Sequence, residues 1–111
     1  MSVPLYEAKA EFFRILGHPA RIRILELLSE REHAVHELLE RLPETISIEA
    51  SNLSQQLAVL RRADLVASRR ENGQVIYSVA GADVRDLLAT ARRIVTGLHA
   101  DVIGSQALHS G

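Results

Sequence analysis

A short stretch near the middle of the chain concentrates side chains that can both donate and accept hydrogen bonds. Its polar residues, with the arginines that follow, are Ser51, Asn52, Ser54, Gln55, Gln56, Arg61 and Arg62. Amide side chains can bond adenine through two hydrogen bonds, and serine can bond bases or phosphates. The stretch therefore predicts either a surface that contacts DNA bases or an ordinary solvated helix face, and composition alone favours neither.

A second polar group surrounds Asn72-Gly73, a pair that strongly indicates a hairpin because both residues tolerate positive φ. The side chains of this hairpin that could contact phosphate or the minor groove are Arg69, Arg70, Asn72 and Gln74. Taken alone, the hairpin is more simply interpreted as a surface loop with solvated arginines. Next to the polar stretch, it favours DNA contact.

The spacing of apolar residues indicates the elements that would position these side chains. Helical spacing predicts helices over 5–16, 19–29, 34–42, 49–62 and 83–102. Between the fourth and fifth of these helices, apolar residues recur at every second position, which predicts strands over 65–70 and 74–79. The hairpin is predicted over 66–79. The predicted fold class is mainly α with a small β-hairpin: a winged helix-turn-helix in the order α-α-α-α-β-β-α, with helix 49–62 as its recognition helix.

Length and composition limit the possibilities further. A chain of 111 residues suits a single domain, predicted over 1–103, with a flexible tail over 104–111. It has no cysteine, which excludes disulfides and thiolate metal sites. The formal net charge of -1 argues against a uniformly basic DNA-binding surface, although a local basic stripe is compatible with it. With no signal peptide or membrane span visible, we expect a cytoplasmic protein.

Three segments, in this order and at this spacing, resemble the ArsR/SmtB family of bacterial repressors. They are residues 13–25, 51–66 and 69–77, which include Gly17-His18-Pro19, the polar stretch and the hairpin. The resemblance implies a homodimer that binds an inverted-repeat operator in double-stranded DNA. It also implies repression of a nearby operon that a ligand relieves, but the sequence does not identify this effector.

The last predicted helix repeats apolar residues over more turns than a small monomer can cover, which independently favours a dimer. In the family, the first and last helices join the two subunits. The residues predicted at this interface are Leu5, Phe12, Leu87, Ala91, Ile94 and Leu98.

The metal sites of the family have lost their ligands in this chain. The site on the third helix corresponds to Ala34 and His36, and the site on the last helix retains only Asp83 as a possible ligand. His33 and His36 could share a helix face and bind zinc with a nearby carboxylate, but they are more simply interpreted as ordinary surface histidines. No complete ligand set is visible, so we predict no metal and no cofactor.

Two other functions are alternatives to a DNA-binding repressor. A winged helix that binds only proteins would suit the near-neutral charge and the uncharged polar face. An enzyme is disfavoured because the sequence has no glycine-rich phosphate loop and no nucleophile elbow. Salt dependence discriminates between the first two functions, because DNA binding weakens steeply as salt is added.

Overall fold

The computed structural model describes residues 2–43, 46 and 50–98, without the side chains of residues 50 and 51. These residues form five helices and three strands: α1 Leu5–Leu16, α2 Pro19–Glu30, β1 His33–Ala34, α3 Val35–Arg41, α4 Ala50–Arg62, β2 Val66–Glu71, β3 Gln74–Val79 and α5 Ala82–Leu98. The helices and the hairpin confirm the predicted fold class. The predicted tail, the end of the last predicted helix and most of the connection before α4 lie outside the described residues.

The core is built around α2, whose apolar side chains point in several directions. Four of them are fully buried: Ile24, Leu25, Leu27 and Leu28. Leu38 of α3 and three leucines of α4 complete the centre of the core with no exposed surface. Burying each such side chain contributes about 1.5–3 kcal/mol to the stability of the fold.

None of the helices within the described ranges is long and apolar enough to span a membrane.

The hairpin forms as predicted, and a third strand joins it. Asn72 and Gly73 have φ values of 52° and 79°, so both adopt the left-handed conformation that the tight turn requires. The short strand β1 pairs antiparallel with β3, with His33 opposite Tyr77, which gives the sheet order β1-β3-β2. The sequence does not predict β1, because two residues are too few to show a repeating pattern.

The end of α4 is closed by a compact turn that leads directly into β2. Asp64 has a φ of 59°, and its N–H donates to the carbonyl of Arg61 at 3.0 Å. The N–H of Leu65 donates to the carbonyl of Leu60 at 3.0 Å, and both leucine side chains are buried. This is the Schellman arrangement of a helix end. It fixes the direction in which the hairpin leaves α4.

Candidate nucleic-acid interface

Helix α4 presents a polar face because its opposite face is anchored in the core. Leu53, Leu57 and Leu60 have no exposed surface, and their spacing fixes the rotation of the helix about its axis. The exposed side chains on the other face are Asn52, Ser54, Gln55, Arg61 and Arg62. These predicted DNA-contacting side chains therefore lie on the surface. The side chain of Ser51 lies outside the part of the chain that the structure describes.

Gln56 lies in a different environment from the rest of the polar stretch. It is half-buried on the side of α4 that faces α2. Its Oε1 accepts a hydrogen bond from Nε of Arg21 at 2.7 Å, and Arg21 also donates to the backbone carbonyl of Ile15 at 3.1 Å. Arg21 is not among the site residues that the sequence predicts. In the sequence, Arg21 and Arg23 are both charged exceptions in a largely apolar predicted helix, and nothing there distinguishes Arg21 from Arg23.

The hairpin has two faces, and they separate its two arginines. Val66 is buried against the core, and alternation along β2 places Arg70 on the same face of the sheet. Across the hairpin Ser68 pairs with Tyr77, which lines a groove together with Arg61 and Arg62 of α4. Arg70 thus belongs to the sheet face that borders the polar helix.

Arg69 lies on the opposite face, where two carboxylates bind it. Its guanidinium donates to both carboxylate oxygens of Glu32, at 2.6 and 2.7 Å, and to Glu71 at 2.6 Å. The hydrogen bond from Arg69 lowers the pKa of Glu32, and the two carboxylates raise the pKa of Arg69. These contacts attach the hairpin to the segment between α2 and β1. Because the guanidinium of Arg69 is already bonded to these carboxylates, its donors are not available to a phosphate.

Two further residues that the sequence predicts to contact DNA lie at the tip of the hairpin. Asn72 and Gln74 are exposed, and they line a shallow hollow with Glu32, Arg69 and Glu71. The carboxylates make this hollow acidic on one side. By contrast, Arg61, Arg62 and Arg70 make no ion pair with any residue that the structure describes. These three exposed side chains and the half-buried Arg21, which bonds the amide of Gln56 and not a carboxylate, provide the positive charge around α4.

His33 is not a surface histidine, which corrects the simpler interpretation of the sequence. It has no exposed surface. Its Nδ1 lies 2.8 Å from the carbonyl oxygen of Arg31, and its Nε2 lies 2.8 Å from a guanidinium nitrogen of Arg41. Since a carbonyl only accepts and a guanidinium only donates, Nδ1 carries the proton. His33 lies in β1, which is too short to appear as a pattern in the sequence, and there it pairs with Tyr77 of β3.

His36 is exposed on α3, one turn beyond His33. Neither ring nitrogen of His33 is free, so a metal would have to displace Arg31 or Arg41 to bind it. The described residues contain no group of three or more histidine and acidic side chains placed to hold a metal ion. The absence of a metal cofactor stays a prediction.

Helices α1 and α5 expose large apolar side chains. On α5 these are Ile94, Val95 and Leu98, the last being 73% exposed, and no residue of this helix is buried. On α1 they include Leu5 at 69% exposure. Of the other predicted interface residues, Ala91 is exposed, whereas Phe12 and Leu87 are half-buried and pack partly against the core.

A polar helix that is anchored by buried leucines and followed at once by a hairpin with cationic side chains defines a winged helix-turn-helix DNA-binding protein. A family model described as a helix-turn-helix domain matches residues 16–69. The chain belongs to the ArsR/SmtB family of transcriptional regulators. It is a DNA-binding transcriptional regulator, and its relatives are regulators rather than enzymes.

Three relatives illustrate the family. Over 100 residues the chain is 55% identical to the HTH-type transcriptional regulator Rv0081 of Mycobacterium tuberculosis, covering 90% of this chain and 85% of that protein. The crystal structure of Rv0081 matches with a TM-score of 0.81 and 54% identity, over 92% of this chain and 99% of that one. A transcriptional repressor SmtB homolog from Synechocystis is 34% identical over 87 residues, or 78% of this chain and 63% of that protein.

A solution structure from Mycobacterium bovis is described as a homodimeric winged helix-turn-helix DNA-binding domain of a possible ArsR-family regulator. It matches with a TM-score of 0.72 and 27% identity, over 88% of each chain.

Proposed function

We propose that this protein is a homodimeric repressor that binds an inverted-repeat operator. Helix α4 of each subunit enters the major groove, and the hairpin contacts the backbone beside it. The two recognition helices then occupy successive major grooves about 34 Å apart. Asn52, Ser54 and Gln55 contact bases, with Ser51 beside them.

The observation that carries this proposal is the position of three arginines around the polar face. Arg61 and Arg62 stand at the end of α4, and Arg70 stands on the bordering face of the hairpin. Their guanidinium groups are exposed and make no ion pair among the described residues. Arginine suits phosphate because its planar donors match the phosphate oxygens. A backbone contact on each side of the polar face would orient α4 toward the bases.

The homodimer is proposed from the exposed apolar side chains of α1 and α5. An uncovered apolar surface of this kind commonly marks an interface, and closed two-fold dimers are the commonest assembly. Phe12 and Leu87 would contribute the part of their surface that the core leaves uncovered. A homodimeric relative from M. bovis supports the same assembly.

The experiment measures binding of the purified protein to the DNA upstream of its own gene by fluorescence anisotropy, over a range of salt concentrations. We expect specific binding that weakens steeply with salt. Arg70→Ala should weaken binding about tenfold and flatten the salt dependence, because one phosphate contact per subunit is lost. Arg69→Ala is the matched control and should change affinity by less than about twofold, since that side chain is already paired.

Two outcomes would contradict the proposal at different levels. Equal weakening by both substitutions would show that the hairpin uses both faces, and the assignment of Arg70 would fail. No binding to any duplex at low salt would reject the repressor and favour a winged helix that binds only proteins.

A further inference from the structure

The contact between Arg21 and Gln56 joins the recognition helix to the start of α2. The donor and acceptor are separated by 35 residues in the chain and by 2.7 Å in space. Both side chains are half-buried, and the guanidinium of Arg21 is held a second time by the carbonyl of Ile15 at the end of α1. A hydrogen bond in such partly dehydrated surroundings is stronger than one on the open surface.

Arg21 decides which way the amide of Gln56 points. A glutamine amide has an accepting oxygen at one end and a donating amino group at the other, whereas a guanidinium has only donors. The oxygen must therefore face Arg21, which removes the usual ambiguity in assigning the amide. The amino nitrogen Nε2 makes no hydrogen bond to any residue that the structure describes.

This orientation limits the bases that Gln56 can recognise. A free glutamine bonds adenine by donating to N7 and accepting from N6, which requires both ends of the amide. The oxygen keeps a second lone pair, but it is turned toward Arg21, so the amino group is the end of the amide that remains for a base. Both purines present the acceptor N7, but beside it guanine has a second acceptor, O6, whereas adenine has the N6 amino donor, so an amino group approaching this edge favours guanine.

We propose that Arg21 is a positioning residue that converts Gln56 from a reader of adenine into a donor that prefers guanine. The inference rests on the proposed function, because it requires α4 to lie in the major groove. Arg21 itself need not touch DNA. Its effect is confined to one base pair in each half-site of the operator.

The test selects duplexes from a randomised DNA library with the full-length protein and compares base frequencies among variants. We expect the wild type to enrich guanine at one position of each half-site. Arg21→Met keeps most of the apolar stem but removes every donor, so the oxygen of Gln56 becomes free to accept from adenine. The ratio of guanine to adenine at that position should fall about tenfold.

A second substitution makes the opposite chemical change. Gln56→Glu keeps an acceptor for Arg21 but removes the amino donor, and its remaining carboxylate oxygen can accept from N4 of cytosine. The preferred base at the same position should therefore change from guanine to cytosine. Arg23→Met is the matched control, because Arg23 lies on the same helix but pairs with Glu26. Its base preferences should equal those of the wild type.

Thermal unfolding by circular dichroism checks that each variant is folded. If the wild type enriches no sequence, the proposed function fails and this inference fails with it. If the wild type enriches an operator whose base preferences Arg21→Met and Gln56→Glu leave unchanged, only the inference is overturned. Uniform weakening across all sequences would also overturn it, because Gln56 would then contact a phosphate.

Discussion

Hydrogen bonding separates the five arginines near α4 and the hairpin into two groups. Arg21 and Arg69 are held inside the subunit, by Gln56 and by Glu32 respectively. Their donors would have to leave these partners before they could bind a phosphate, which costs free energy. Arg61, Arg62 and Arg70 have no ion-pair partner among the described residues, so they can bind the DNA backbone without such a loss.

His33 provides a prediction at the scale of the residue. It is fully buried and joins the carbonyl of Arg31 to the guanidinium of Arg41. His33→Ala should lower the free energy of unfolding by about 2–3 kcal/mol, because it leaves a cavity and removes both hydrogen bonds. Urea unfolding at a fixed protein concentration measures the change.

His36→Ala is the control, since it makes the same chemical change at an exposed position of α3. It should alter stability by less than about 0.5 kcal/mol. Equal effects of the two substitutions would show that the buried contacts of His33 do not stabilise the fold.

The recognition helix and the hairpin act together because α4 ends in a fixed turn. The hydrogen bond from Leu65 to Leu60 leaves no flexible linker between the two elements. The short strand β1 holds the hairpin from its other edge, through the pairing of His33 with Tyr77. The position of the hairpin relative to α4 is therefore fixed, which the proposed contact with the DNA backbone requires.

The turn of the hairpin provides a prediction at the scale of the element. Gly73 has a φ of 79°, and a methyl group added there would meet no other atom within 4 Å. Gly73→Ala should therefore lower the free energy of unfolding by about 1–2 kcal/mol, through backbone strain alone. Gly97→Ala is the matched control, because its added methyl group also meets nothing but lies within α5.

In a helix, alanine is favoured over glycine, so Gly97→Ala should raise stability by up to about 1 kcal/mol. Both variants are compared by urea unfolding at the same protein concentration. Shifts of the same sign in the two variants would contradict the role assigned to the turn.

As a whole, the molecule presents two different surfaces. One is polar and locally cationic, around α4 and the bordering face of the hairpin. The other is apolar, on α1 and α5, where large side chains such as Leu5 and Leu98 remain more than half exposed. A single subunit of 12.3 kDa leaves this second surface uncovered. Covering it with a second copy would set the distance between two recognition helices.

The proposed dimer provides a prediction at the scale of the whole molecule. Ile94→Glu combined with Leu98→Glu should halve the mass measured by light scattering, because two charges would be buried without partners. Leu87 is unsuitable for this test, since it packs partly against the core and its loss would confuse unfolding with dissociation. Arg93→Glu lowers the net charge by the same amount at an exposed position, where the arginine bonds Thr90.

The Arg93→Glu variant should keep the mass of the wild type. If the double variant also keeps that mass, the interface lies elsewhere. DNA binding should weaken together with dimer loss, because two half-sites no longer bind as one unit.

Local patterns in the sequence determined most of the elements. Periodic apolar residues predicted the five helices, and α1 begins and ends at the predicted residues. The Asn72-Gly73 pair predicted the hairpin turn through its tolerance of positive φ. The polar stretch predicted the exposed face of α4. These features depend on residues within one or two turns of each other, so a linear pattern contains them.

Tertiary structure alone decided how the polar residues are used. Gln56 bonds Arg21, 35 residues away in the chain, and Arg69 bonds Glu32, 37 residues away. No local pattern specifies such contacts, because they depend on how whole elements pack. The burial of His33 and the existence of β1 follow from the same packing. The sequence thus determined which side chains could contact DNA, and the fold decided which of them remain free to do so.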